Sequence, residues 1–237
     1  TEMYSAGIER LTHQPLSFSV SETTEGVHIH IIDAELMGKG EKEKKDLYIE
    51  GIQNNGIINH YEYIINSEGT IEIRHVLKPE GKMPLWFPRI GLTLTVSDAL
   101  DQVKWYGRGP QENYPDRKTG YPTGIYASTV QAMYEPYLMP QDYGLRTDVR
   151  WLQLTTDKGI GLQFKMNEWF NFNIYPYSTD NLTKAMYTYQ LQKQKGMTLN
   201  LDYATTGVGC TARGVFGAYK AMPQEYRRTI SIRPMMK

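Results

Sequence analysis

Alternation with a period of two is the feature that most constrains this chain. Val27-His28-Ile29-His30-Ile31, Ile71-Glu72-Ile73-Arg74 and Ile90-Gly91-Leu92-Thr93-Leu94-Thr95-Val96 place apolar residues at every second position. Successive side chains of a strand point to opposite faces, so such segments bury one face of a sheet and present the other. An amphipathic helix would need apolar residues three and four apart, and that signal is thin here. Trp151–Thr155 and Gly161–Met166 read as a hairpin across Thr156-Asp157-Lys158-Gly159, and a shorter hairpin closes at Asn66-Ser67-Glu68-Gly69. Further strands are expected over 16–21, 46–53, 59–66, 103–107, 125–131, 171–176, 186–192, 197–203 and 227–233. Ser178-Thr179 caps a helix of one or two turns over Asp180–Lys184, and Val96–Leu100 offers a second.

Composition agrees with strands. Aromatic residues reach 12%, with 18 Tyr among them, and flat rings suit a pleated surface. The 21 Gly and 12 Pro recur along the chain as punctuation. The fold class is therefore all-β, and the expected organisation is one domain over residues 1–237 with two stacked antiparallel sheets. Lys and Arg number 26, as do Asp and Glu. That balance lacks the positive excess of a nucleic-acid or membrane-surface binder, so neither partner is expected. No apolar run approaches the length of a membrane span. Thr1–Arg10 has neither the basic start nor the apolar block of a secretion signal. The single cysteine, Cys210, excludes an internal disulfide but leaves both cytoplasm and periplasm open.

Most candidate chemistry has a plain structural explanation. Lys39–Asp46 is a mixed-charge run that suits a solvated hairpin tip. His28 and His30 share a strand face, yet the sequence identifies no third ligand, so no metal is assigned. His60 and His75 fall among strand residues as surface or half-buried positions. Neither a nucleophile turn of the Gly-x-Ser-x-Gly kind nor a phosphate-binding glycine loop occurs. Trp86, Trp105, Trp151 and Trp169 suit either a sugar-stacking platform or a core, and core is the commoner use. Trp105–Gly144 is rich in Gly, Pro and Tyr and has long stretches without alternation. Its carboxylates Glu112, Asp116, Glu135 and Asp142, with Asp148 just beyond, lie among Arg108, Arg117, Arg146 and Arg150. Arg–carboxylate forks that hold irregular loops explain this grouping better than a glycosidase pair.

One stretch is more specific. Pro88-Arg89-Ile90-Gly91 leads into Trp105-Tyr106-Gly107-Arg108-Gly109-Pro110-Gln111-Glu112-Asn113-Tyr114-Pro115-Asp116-Arg117-Lys118. It resembles the PRIG and WYGRGPxENYPDRK motifs of the C-terminal small-chain domain of family 2 β-galactosidases. Tyr134–Gln141 resembles that family's Y-x-x-P-Y-x-x-P-Q with one residue fewer after the first Tyr, and Arg146–Leu152 its R-x-D-x-R-W-L. Leu201-Asp202-Tyr203 with Gly207-Val208-Gly209 resembles its late D-x-x-x-x-G-[IV]-G. Asp142-Tyr143-Gly144-Leu145 departs from the usual E-N-G-N.

The resemblance implies a β-sandwich of the galactose-mutarotase-like (supersandwich) type, N-terminally truncated and part of a multidomain glycoside hydrolase. In that family the general acid and the nucleophile, both Glu, sit on a TIM barrel, so no catalytic residue is expected in this chain. No cofactor is expected either, since any Mg or Na of the whole enzyme would belong to its other domains. The implied partners are the barrel and remaining domains, a β-galactoside at a shared rim, and a second copy through self-association. Trp105, Tyr106, Arg108, Glu112, Asn113, Tyr114, Asp116, Arg117, Arg146, Asp148 and Arg150 are implied structural motif residues. In many relatives the late loop carries a Trp that stacks on substrate. That position falls near Gly214 here, and the rings at hand are Phe216 and Tyr219, which makes these three the substrate-rim candidates. The other readings are a free-standing carbohydrate-binding module and a mutarotase-like epimerase. The epimerase needs a His acid, and all five His precede residue 76.

Overall fold

The computed structural model describes residues 11–37, 55–210 and 214–236. Thr1–Arg10, the charge run Lys39–Asp46, the strand expected at 46–53 and Arg213 lie outside the described residues. The chain divides into two compact units. One holds residues up to Pro88 together with Ala221–Ser231, and the other holds Arg89–Lys220 and Ile232 onward.

The first unit is an antiparallel meander of β1 (Thr12–Thr23), β2 (Gly26–Leu36), β3 (Gly56–Ile65) and β4 (Ile71–Glu80). The turn Asn66–Gly69 closes β3 onto β4 through Asn66 N–H to Thr70 O at 3.1 Å. Asn66 Oδ1 also accepts from Glu68 N and Thr70 N, which satisfies the turn's own donors. Ile57, Ile64, Ile73 and Leu77 are buried, and alternation puts Ile73, His75 and Leu77 on one face of β4. Polar residues enter the core too: Asp33, Asn59 and His75 are all buried. Asn59 Nδ2 donates to Asp33 Oδ1 at 2.9 Å, and Asn59 Oδ1 lies 3.1 Å from His75 Nε2. The Tyr61 ring stacks on His75 with centroids 4.1 Å apart.

The second unit contains β5 (Arg89–Val96), β6 (Gln102–Arg108), β7 (Thr123–Thr129), β8 (Arg146–Thr155), β9 (Gly161–Tyr175) and β10 (Met197–Thr205). β6 pairs with β7 and β8, β8 with β9, and β10 with both β9 and β5, all antiparallel. The remaining strand, β11 (Tyr226–Met235), contributes its first half to one unit and its end to the other. The fold is all-β, as its alternation and composition indicate. The strands expected at 161–166 and 171–176 are one long β9, whose pairing to β8 shifts register between Arg146 and Trp151. A single short helix, α1 (Thr179–Lys184), occurs among the described residues, with Ser178 Oγ accepting from Asn181 N at 3.1 Å. Val96–Leu100 forms only a turn, closed by Leu100 N–H to Ser97 O.

The strand expected at 186–192 is absent. Thr188–Gln190 is a 3-10 turn instead. Gln190 Oε1 accepts from Met186 N and Tyr187 N, and Asn181 Oδ1 accepts from Gln192 N. Those side chains take up the N–H groups that a ladder would have used.

Burial, reinforced by His60, pulls the His75 imidazole down to about 4, so the fold holds it neutral. Because its pKa is lowered on folding, this group's contribution is complete above the unfolded value near ~6.5 and is lost as pH falls toward the folded one. The unfolding free energy from urea denaturation should therefore fall between pH 7 and pH 4.5, by about 2 kcal/mol. A His75→Gln variant, less stable at pH 7, should show a flatter slope across the same range.

Candidate functional site

The block Trp105–Lys118 is built around buried acceptors. Trp105, in the middle of β6, is 1% exposed and donates from Nε1 to Arg108 O at 3.0 Å. Its ring carries the Arg146 guanidinium at 5.4 Å on one side and packs edge-on to Phe172. Glu112 is also buried and accepts from the Tyr137 hydroxyl, from Arg117 Nη2 at 2.7 Å, from Gly144 N at 2.9 Å and from Tyr114 at 3.3 Å. Burial opposes its charge, yet the bonds from Tyr137, Gly144 N–H and Arg117 prevail and hold it below the usual carboxylate range. Asn113, fully buried, joins the loop to β8. Its N–H donates to Leu145 O at 2.8 Å, and its Oδ1 accepts from Thr147 N and Oγ1.

Asp148 has φ of 55°, the left-handed region a non-glycine residue enters at a cost of about 1–3 kcal/mol. It sits where β8 shifts register against β9. Arg108 Nε reaches its Oδ2, and Lys118 Nζ lies 2.9 and 3.0 Å from its two oxygens. Arg108 also donates from Nη1 to Lys118 O and Tyr121 O. Burial raises the Asp148 pKa less than these two cations lower it. Arg150 serves differently. It lies between the rings of Tyr106, at 4.9 Å, and Trp169, at 4.2 Å, and donates to Asp148 O. Arg146, 3% exposed, donates to Gly144 O at 2.9 Å; burial pulls its pKa down to about 10, so it remains charged at neutral pH.

Asp116 holds the late loop. Its two oxygens accept from Val208 N at 3.1 Å and Gly209 N at 2.7 Å. A Cβ on Gly207 would meet Asp116 Cγ at 2.3 Å, so only glycine lets the carboxylate approach. Gly207 N–H in turn donates to Tyr219 O at 2.8 Å, which closes the base of the loop. Beyond that base the rim candidates stand in the open. Phe216 is 65% and Tyr219 40% exposed, and a Cβ on Gly214 would meet nothing within 4 Å.

A second constellation was not grouped by sequence reasoning, although Arg89, Asp142 and Asp202 each lie in or beside a motif. Asp202, on β10, is 2% exposed and is gripped by Arg89 through Nε at 3.1 Å and Nη2 at 2.6 Å. Arg89 Nη1 reaches Asp142 at 3.3 Å. Burial disfavours the guanidinium charge, but Asp202 and Asp142 outweigh it and raise the Arg89 pKa. Asn173 Oδ1 accepts from Arg89 and from Asn200 Nδ2, while its own Nδ2 donates to Asp142 at 2.8 Å and Tyr143 O at 3.0 Å. Asn200 also bonds Tyr175 and Thr93. The available signal is the polar alternation Thr198-Asn200-Asp202, which reads as a solvated face but is buried. Gly91 belongs here as well: a Cβ would meet Leu201 O at 2.3 Å, so β5 and β10 close only over a glycine.

Arg108→Ala should lower stability by about 2–3 kcal/mol, less than the cost of breaking a fully buried pair because the arginine is a quarter exposed. Chemical denaturation of the two proteins tests this. Glu112 and Asp148 have pKa values lowered on folding, so their contributions are complete above about pH 5 and are lost progressively as pH falls toward the folded values. Glu112→Gln should therefore shrink the loss of stability between pH 4 and pH 2.5, read as a smaller drop in melting temperature.

Comparison with known proteins places this geometry. Residues 9–232, across both units, match the family model described as the β-galactosidase small chain. The chain is 38% identical over 147 residues to a β-galactosidase of Priestia megaterium, covering 62% of this chain and 14% of that protein. It is 39% identical over 122 residues to a β-galactosidase of Vibrio cholerae, covering 52% of this chain and 11% of that one. The chain thus spans a small share of the curated relatives it matches. A solved GalM/aldose epimerase homologue from C. elegans aligns over 93% of this chain and 69% of its own, at 11% identity and a TM-score of 0.44, too distant to carry an argument. With the block Trp105–Lys118 folded around its own carboxylates and the family model matched from residue 9 to 232, the chain belongs to the β-galactosidase small-chain family.

Proposed function

We propose that this chain, both units together, is the non-catalytic C-terminal module of a family 2 β-galactosidase that releases terminal β-D-galactose with retention. It completes the rim of an active site whose acid and nucleophile are carried by a barrel domain. The observation that carries this reading is the late loop: Asp116 fixes its base while Phe216 is left 65% exposed. An aromatic face held this way can stack on the C–H surface of a sugar bound by a neighbouring domain. The loop carboxylates support a non-catalytic role. A general acid must hold a proton near neutral pH, yet Glu112 and Asp148 lie below the usual range and are occupied by donors.

The reading is tested by kinetics. The chain alone should not turn over an aryl β-galactoside, and turnover that survives removal of host enzyme would overturn the assignment. In the full-length enzyme, Phe216→Ala should raise KM by about 3- to 10-fold, the worth of one ring face, with little change in melting temperature. A variant that unfolds readily and keeps its KM would place the ring in the core instead.

A further inference from the structure

The first unit carries a side-chain cluster that the galactosidase reading does not use. His28 and His30 lie on one face of β2, and the antiparallel register puts Glu62 of β3 opposite His30. One ligand atom from each of the three lies within 4.8 Å of the others. The sequence shows only the His-x-His pair, and pairing of the two strands supplies the third member.

Two details distinguish this group from ordinary surface polarity. His28 Nδ1 and Glu62 Oε1 are 3.5 Å apart. That is longer than a normal N–H···O bond but close to the roughly 3.4 Å separating two ligands that each sit ~2.05 Å from a tetrahedral ion. His28 Nε2 is buried and has no hydrogen-bond partner among the described residues; the Glu25 carboxylate stands 4.0 Å away. A metal-bound imidazole commonly directs its second nitrogen at such a carboxylate, which sets the tautomer and the ring orientation. Glu62 has an oxygen to give. Arg74 takes Oε2 at 3.0 Å and is itself held by Glu72 at 2.8 Å, which leaves Oε1 facing the imidazoles. His30 is exposed, so an ion can reach the cluster from solvent.

We infer that His28, His30 and Glu62 form a binding site for a divalent transition-metal ion of the zinc class. Two imidazoles and one carboxylate suit that ion better than magnesium or calcium, which prefer all-oxygen sets. Three protein ligands leave a coordination position open to water or to a donor from a partner. The inference is independent of the galactosidase reading, and each can fail without the other.

The test is titration of the untagged full chain with zinc chloride in a non-chelating buffer, followed by calorimetry, with cobalt(II) absorption as a second readout. Saturable binding of one equivalent is expected, with the visible bands of a low-coordinate cobalt site. His30→Gln and Glu62→Gln should each weaken zinc binding by more than about 10-fold, since even partners outside the coordination sphere cost that much. His60→Gln, outside the cluster, should bind as the parent does. Should His30→Gln fail to fold, the parent titration still decides, because absence of saturable zinc binding overturns the site. Binding that persists undiminished in folded His30→Gln and Glu62→Gln overturns it as well.

Discussion

A backbone that leaves its sheet must find acceptors for its N–H groups, and in this molecule buried or half-buried carboxylates and carboxamides supply them. Glu112 accepts from Gly144, Asn113 from Thr147, and Asp116 from Val208 and Gly209. An unpaired buried N–H costs about 1–3 kcal/mol, so Glu112 and Asn113 set the path of segments more than thirty residues away in sequence. The basic residues then neutralise what the loops have gathered. Arg117 closes on Glu112, and Arg108 with Lys118 closes on Asp148.

The same logic governs β10. Its residues Met197–Tyr203 are all buried, so neither face of that stretch meets solvent. Thr198, Asn200 and Asp202 cannot be left dry without partners, and a buried carboxylate least of all. Arg89 answers Asp202 with two parallel bonds, and Asn173 extends the network to Asp142 and Asn200. Asp142 reaches both Arg89 and Asn173. Substituting any one member leaves another unsatisfied, at a cost to stability.

Exposed rings stand beside these contacts in the second unit. Phe216 stands exposed above a base closed by Gly207 and Tyr219, and the stacked Arg150 holds Trp169 at the surface with 60% exposure. The cluster of His28, His30 and Glu62 lies in the other unit and rests on strand pairing alone.

Much of this was legible in the residues. Alternation at Val27–Ile31, Ile71–Arg74 and Ile90–Val96 determines strands because the side-chain period of a strand is fixed by its backbone. The turns at Asn66–Gly69 and Thr156–Gly159 and the cap at Ser178 follow from equally local chemistry. Resemblance to the small-chain motifs identified the block Trp105–Lys118 but not what its members touch. Tertiary structure alone decided that the polar side of β10 is interior and that Asp116 anchors a loop some ninety residues away. It also decided that Glu62 joins two histidines, and that 186–192 is a turn whose donors are met by Gln190 and Asn181. The reason is physical: periodicity reports which residues share a face, whereas what covers that face depends on partners brought in from distant positions.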